Sequence, residues 1–566
     1  MGRSLSSLIG LGGGKGIVAV SLYIAISYLI GLSVPVSAAL VENVTMGNAK
    51  ALALGNAVTA DPPGVDSIHY NPAGLARIKQ SVYNLKLLAA SMNFGVNFGG
   101  YDEFTQEFID YNGYVDDIPY SKSETSTIGL RVPFVEGITK WDAPVLVLPF
   151  GGAATYNSGS DITFATTVYS PMAAGYIRDE DDPARFMGKH MSMARIVYFS
   201  PSIGFQLTDS LSVGGSIGFA WQGVTAATQI RVPNLALAFG ENLTRDLQEQ
   251  GLCPPDDQPN PFINFCGADR YPENRLGPYT NVARLEFDAE SALVPSVNIG
   301  FLWDASQWFT LGMVYQLEST GHLDGYYKLD YNEEWVNFFD GFSSSGLYYY
   351  LSPIIPLPTG QADSPHGRGM EFGKAKLEVV NPAHFSVGIS MKITPKWKLN
   401  IDAKWTDWAA WDVLHVSFDK ALDFTKLASN VSTYSEPDEI SIPRHYKSVW
   451  NWAFGVEYQH SDSLALRFGY EPRKSSIPND KQDLLLPVGD ADLLGFGFAY
   501  KMRNDQLLEV SLGYMEASAS VAAGESTNAN DINPFNNFIY NPYAGTAFST
   551  FVKAYMVEIS YQAPLP

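Results

Sequence analysis

The sequence predicts an all-β chain: a transmembrane antiparallel β-barrel of about fourteen strands, with an N-terminal hatch in its lumen and long loops on one rim. Three observations predict it. The first is composition. Aromatics make up 13% of the 566 residues, glycines number 50, charged residues reach only 17%, and mean hydropathy is -0.05. A bundle of membrane helices would be far more apolar. The second is alternation of apolar with small or polar residues, and the third is alternation of short with long connections.

The chain opens on a leader. Met1 to Gly16 carries Arg3 and Lys15, Ile17 to Val36 is apolar, and Val36-Ser37-Ala38 is a small-residue cleavage pattern. Residues 1–38 therefore read as a secretory signal peptide, with an uncleaved anchor as the alternative for an apolar run of about 20 residues. The "GLGGGKG" within it lacks the spacing of a phosphate loop. Residues 39–78 follow as the hatch. "GNAKALALGNAVTA" (Gly47 to Ala60) is small and suits close packing inside a barrel. "DSIHYNPAGLARI" (Asp66 to Ile78) reads as neither helix face nor strand, because Pro72 removes a backbone donor and Gly74 loosens the chain. A lumen of this width stands open unless something fills it.

Residues 79–566 carry the barrel. In "WKLNIDAKW", Trp397, Leu399, Ile401, Ala403 and Trp405 share one face, and Lys398, Asn400, Asp402 and Lys404 the other. That is the pattern of a strand between lipid and a wet lumen. "FSVGISMKI", "LALRFGY" and "YMVEISY" repeat it. Short connections fall at Asn157–Ser160, Leu207–Ser210, Asp304–Trp308, Thr394–Lys396, His460–Ser463 and Arg503–Gln506, with long ones such as Ala227–Asn281 and Tyr331–Lys374 between them. Both faces of a soluble sandwich would not read as lipid and lumen.

Charge and cysteines bound the partners. Lys and Arg total 37 against 59 Asp and Glu, a net -22, which excludes a nucleic-acid surface. Cys253 and Cys266 lie in one Pro-rich polar stretch. In an oxidising compartment they form a disulfide worth roughly 3 kcal/mol, or they remain two free thiols. The eight histidines are scattered, with no HExxH, GxSxG or Cys–His cluster. No enzyme activity, cofactor or metal is therefore expected.

Asn71-Pro72-Ala73, after its small-residue segment, resembles the hatch motif of the FadL-type transporters, which admit long-chain fatty acids across Gram-negative outer membranes. Relatives in that family admit toluene and other hydrocarbons. The similarity continues through "FSPSIGFQLTDSLSVGGSIGFAW", "PSVNIGFLWDASQWFTLGMVYQLES", "PAHFSVGISMKITPKWKLNIDAKWTDW" and "FGVEYQHSDSLALRFGYEPRKSSIPND". It implies an outer-membrane barrel and a hatch (Asn71, Pro72, Ala73, Gly74) whose movement opens a passage. It also implies lateral exit through a kinked third strand into outer-membrane lipid. The ligand implied is a long-chain fatty acid or other hydrophobic small molecule, with no obligate protein partner. A water-filled porin and a purely structural barrel are the alternatives. The terminal "SYQAPLP" departs from the family's closing aromatic.

Pro171, inside "DITFATTVYSPMAAGY", marks either that kink or a strand end. "PNLALAFGENLTRDLQEQG" predicts a helix with Leu235, Phe239, Leu243 and Leu247 on one face. Opposite it, Trp335, Phe338, Phe339, Tyr348, Tyr349 and Tyr350 form either the wall of an extracellular ligand groove or loop-on-loop packing. Lys398, Lys404 and Arg467 point into the lumen, where they meet a ligand carboxylate or pair with Asp402, Glu457 or Glu509. His69 is assigned to hydrogen bonding in the hatch. Net charge tilts the ligand toward neutral hydrocarbons.

Overall fold

The computed structural model describes residues 45–131, 133, 141–233, 235–252, 276–343, 346–358, 368–430, 435–532 and 541–565. The leader (1–38) and Cys253 and Cys266 lie outside the described residues. Fourteen antiparallel strands form the wall. In chain order they are β1 (Val82–Tyr101), β2 (Leu146–Asn157), β3 (Ile162–Thr167 and Tyr169–Ile177), β4 (His190–Phe199 and Ser202–Thr208), β5 (Leu211–Ile230) and β6 (Ala283–Ser306). Then come β7 (Phe309–Gln316 and Ser319–Tyr331), β8 (Met370–Asn381 and His384–Thr394), β9 (Trp397–Thr406 and Val413–Phe418) and β10 (Glu439–Pro443 and Val449–Ser461). β11 (Leu464–Arg473), β12 (Asp490–Lys501), β13 (Leu507–Val521) and β14 (Thr546–Pro564) complete it. β14 pairs with β1 from Val82↔Pro564 to Tyr101↔Thr546, so the sheet closes. Closure leaves no free edge there. All six short connections expected from the sequence are hairpin turns on one rim.

Several strands break midway, and the breaks change what each face holds. In β8, Phe385, Val387 and Ile389 lie on the outer face, with Ser386, Gly388 and Ser390 buried inside. Beyond Pro382–Ala383 the same odd-numbered positions turn inward. Ala375, Leu377 and Val379 are buried there, and Lys374, Lys376 and Glu378 are exposed. β7 does the same across Leu317–Glu318: Met313 and Tyr315 are exposed, whereas Leu323, Tyr327 and Leu329 are buried. β6 does so across its bulge near Ala292–Leu293. The wall thus has a lower band, apolar outside and polar or small within, and an upper band, charged outside and apolar within.

The N-terminal segment, residues 45–78, lies against the inner face of the lower band. It is not unstructured: Ala49–Ala53 and Ser67–Tyr70 are short α-helical turns, and Gly64–Asp66 and Pro72–Arg77 are 3-10 turns. "DSIHYNPAGLARI" is helical after all because Asn71 caps the last turn, its Oδ1 accepting from the Ala73 amide at 3.2 Å, and Pro72 takes the first position, where no donor is needed. Inward glycines let the two backbones touch. A Cβ on Gly300 would sit 2.0 Å from Asn71 Oδ1, and one on Gly469 would sit 1.9 Å from the Gly55 nitrogen.

One stretch of wall lacks a ladder. β2 pairs with β3 only between Gly152–Asn157 and Ile162–Thr167. Above Val168, β3 pairs with β4 alone among the described residues, and its register shifts between Tyr169 and Met172, around Pro171. Pro171 therefore lies within a strand, at a bulge. β2 itself resumes as a short piece, Lys122–Thr125, on β1, and between the two pieces Ile128–Leu130 pairs with Trp141–Ala143 instead of with the wall.

Gly300→Val should lower stability by about 1–3 kcal/mol through overpacking against the N-terminal turn. Urea unfolding of the detergent-refolded barrel, with protease access to residues 45–78 measured in parallel, checks this.

Candidate functional site

The lower lumen is occupied by charge pairs, some of which tie the N-terminal segment to the wall and others of which join wall strands to one another. Asp66 is central. Its Oδ1 accepts from Lys86 Nζ at 2.6 Å and Thr167 Oγ1 at 3.2 Å, and its Oδ2 from Asn48 Nδ2 at 2.7 Å and Asn84 Nδ2 at 3.2 Å. The side chains of Lys86 and Asp66 are 0% and 2% exposed. Asn71 donates from Nδ2 to the carbonyls of Thr59 at 2.8 Å and Phe301 at 3.0 Å. Four residues of "NPAG", Asn71 to Gly74, are buried.

The three cations assigned to the lumen lie there and are all paired. Lys398 Nζ is 2.6 Å from Asp61 and 2.8 Å from Glu457. Arg467 contacts Glu457 at 2.7 Å and Glu509 at 2.5 Å. Lys404 pairs with Glu471 at 3.1 Å rather than with Asp402, which instead accepts from the Thr59 amide at 2.8 Å. Burial opposes charge on Asp61, but Lys398 and Lys50 outweigh it and hold its carboxyl well below the usual range. Burial moves the His69 ring down to about 3, with His384 and Arg195 adding to the effect. His69 packs against Tyr70 and Tyr169, and its carbonyl accepts from Gln316 Nε2 at 3.0 Å.

Two cavities lie above the segment. The first, about 60 Å³, is polar and sits where the strands break; His69, Pro171, Arg195, Asn298, Gln316 and His384 are among its lining residues. The second, about 220 Å³, lies in the upper band among Met187, Met193, Val224, Phe287, Leu377 and Phe418. Trp411 lines both. Its Nε1 donates to the Val380 carbonyl at 2.6 Å, and its ring stacks on Tyr446.

Phe239, Leu243, Leu247 and the six loop aromatics singled out from the sequence do not line the apolar cavity. The helix Leu235–Glu249 forms as expected; on it Phe239 is 69% exposed, while Ala238 and Thr244 are buried. Leu243 and Leu247 are half-buried. Trp335 and Phe339 are buried in packing between loops, Trp335 stacked on Tyr331 and tilted against Phe339. Phe338 and Tyr348 pack on the same cluster, whereas Tyr349 and Tyr350 are 74% and 66% exposed. The signal for the apolar upper lumen is in the strands. "GKAKLEVV" and "GHLDGYYKLDY" alternate charge with apolar residues, and the charges take the outside.

The family model for the outer membrane protein transport protein family (OMPP1/FadL/TodX) matches residues 29–563. A crystal structure of a Pseudomonas aeruginosa FadL homologue superimposes with a TM-score of 0.61 at 16% identity, covering 92% of this chain and 99% of that one. The Pseudomonas putida toluene transporter TodX gives 0.53 at 15% identity, over 92% and 99%. The outer membrane protein NMB0088 of Neisseria meningitidis serogroup B is 21% identical over 235 residues, 41% of this chain. That match spans 44% of the relative's own length.

Two expectations follow. Asp66→Ala leaves Lys86 buried without its counter-charge and should cost about 3–5 kcal/mol in urea unfolding. The unfolded chain protonates His69 near 6.5, the folded chain at about 3. Between these values the unfolded state binds more protons, so stability falls as pH drops from about 6.5 to about 3. His69→Gln should flatten that pH dependence by up to about one proton.

Proposed function

Since this chain belongs to the outer membrane protein transport protein family (OMPP1/FadL/TodX), and so is an outer-membrane barrel of a family that transports hydrophobic compounds, we propose that it admits long-chain fatty acids passively. The observation that carries this reading is the pair of adjoining cavities. An apolar chain fits among Met193, Val224, Phe287 and Leu377, and a polar head fits beyond Trp411 beside Arg195. A guanidinium in a partly dry recess favours a carboxylate over a neutral hydrocarbon, against the tilt of the net charge. The polar recess reaches Pro171, where the ladder between β2 and β3 has ended. That juxtaposition supports lateral exit at this point.

In this reading residues 45–78 are the hatch. Asn71 holds it closed through Thr59 and Phe301, and the pairs Lys398–Asp61 and Lys86–Asp66 anchor it. Lys398 serves that anchoring, while Lys404 and Arg467 pair with wall carboxylates rather than a ligand. The loop aromatics Trp335 and Phe339 hold the lid over the cavity, and the exposed Tyr349 and Tyr350 remain for first capture. Passage needs no cofactor, since partition and a downhill gradient supply the drive.

Labelled oleate uptake in cells lacking their own fatty-acid importer tests this, comparing the native chain, Asn71→Ala and Val224→Trp at matched surface expression. Uptake that depends on Asn71 and falls severalfold in Val224→Trp is expected. Uptake of labelled toluene but not oleate would move the ligand to neutral hydrocarbons. Large, steady single-channel currents without uptake of either would establish a water-filled porin instead.

A further inference from the structure

The gap in the wall has an inner cover. Where β2 stops, a short two-stranded ladder pairs Ile128–Leu130 with Trp141–Ala143. Its first strand lies along the edge of β3 that no wall strand pairs. The Ile177 amide donates to the Thr127 carbonyl at 3.1 Å, and Thr125 Oγ1 donates to the Ile177 carbonyl at 2.5 Å. The backbones approach so closely that a Cβ on Gly175 would sit 2.1 Å from the Gly129 carbonyl oxygen. Ile128 and Leu130 are buried, in one cluster with Phe94, Leu146, Ala173 and Tyr176, which border the gap. An uncovered strand edge is a liability that folded chains close off, and here a loop closes it rather than the wall.

The far end of this strand is held by charge. The Arg131 guanidinium pairs with Asp288 and, at 3.0 Å, with Glu290, both on β6, and its amide donates to Ser192 Oγ on β4 at 3.2 Å. Trp221 Nε1 donates to the same Glu290 oxygen at 2.8 Å. Arg131 is thus fixed from strands β4 and β6 while Thr127 meets β3. Gly129 between them, with no side chain, fits against Ile177 and His190.

We infer that Thr127–Arg131 is the movable cover of the β2–β3 gap and that Arg131 is the positioning residue that holds it shut. A strand held at one end by two backbone-directed hydrogen bonds and at the other by a charge cluster opens when the charge end lets go. This inference rests on the reading that ligand leaves through that gap, and the experiment separates the two.

In a Cys253→Ser/Cys266→Ser background, Ile128→Cys is placed in the refolded full-length barrel and its labelling by a water-soluble maleimide is timed. Arg131→Gln should speed labelling about tenfold or more, the loss of a charge-assisted hydrogen bond read as a population. Arg131→Lys should restore most of the protection. Asp288→Asn with Glu290→Gln, which removes the partners instead, should act like Arg131→Gln. Heat-modifiable migration on gels confirms that each variant is a folded barrel. Labelling in both charge-removal variants equal to the parent would overturn the cover. If labelling accelerates while oleate uptake is unchanged, the cover and the role of Arg131 stand and exit through this gap is refuted.

Discussion

A strand in this wall has two faces, and what lies outside it at each height decides which face must be apolar. In the lower band the outside is lipid, so Val387, Ile389, Met313 and Tyr315 face outward and the lumen receives serines, glycines and charges. In the upper band the outside carries Lys374, Lys376 and Glu378, so Leu377 and Val379 turn inward. The rest of the arrangement depends on this exchange. A polar, glycine-lined lumen accepts the N-terminal turns through hydrogen bonds and ion pairs. An apolar lumen above it leaves the cavity beside Met193 and Val224.

The exchange requires the strand breaks. Side chains alternate with period two, so a strand changes the facing of a given parity only by slipping one residue. β6, β7 and β8 do this at nearly one level, and the polar recess bordered by Leu317, Pro382 and His384 opens there. The same level holds His69 from the N-terminal segment and Pro171 from the bulged third strand. Irregularity that is costly elsewhere in a ladder is concentrated where the N-terminal segment, the recess and the wall gap meet.

Charge in the lumen illustrates how position changes meaning. Lys398, Lys404 and Arg467 face inward, as alternation indicates, yet each is paired with a carboxylate. A buried cation with a counter-charge has little left for a ligand, and removing the partner exposes the desolvation penalty. Arg195, on β4, borders the polar recess at the level of the strand breaks.

What the sequence by itself determined is the period, the turns and the count of strands. Alternation in "WKLNIDAKW" and six short connections are local properties, set by backbone geometry and turn chemistry. The close packing of Gly47–Ala60 was legible for the same reason, since small residues permit contact wherever they lie. Tertiary structure decided which face of each strand is inside. From Ala375 to Ile393 the odd-numbered positions carry nearly all the apolar side chains, with an exception at Val380–Asn381, and the break at Pro382–Ala383 turns part of that series inward. The apolar loop residues drew attention by composition, but Trp335 was absorbed by its neighbours and Phe239 was left in solvent. Partnership across the barrel, as between Arg131 and Asp288 or Asp61 and Lys398, joins residues distant in sequence once the sheet is folded. No local pattern records which strands closure will bring together.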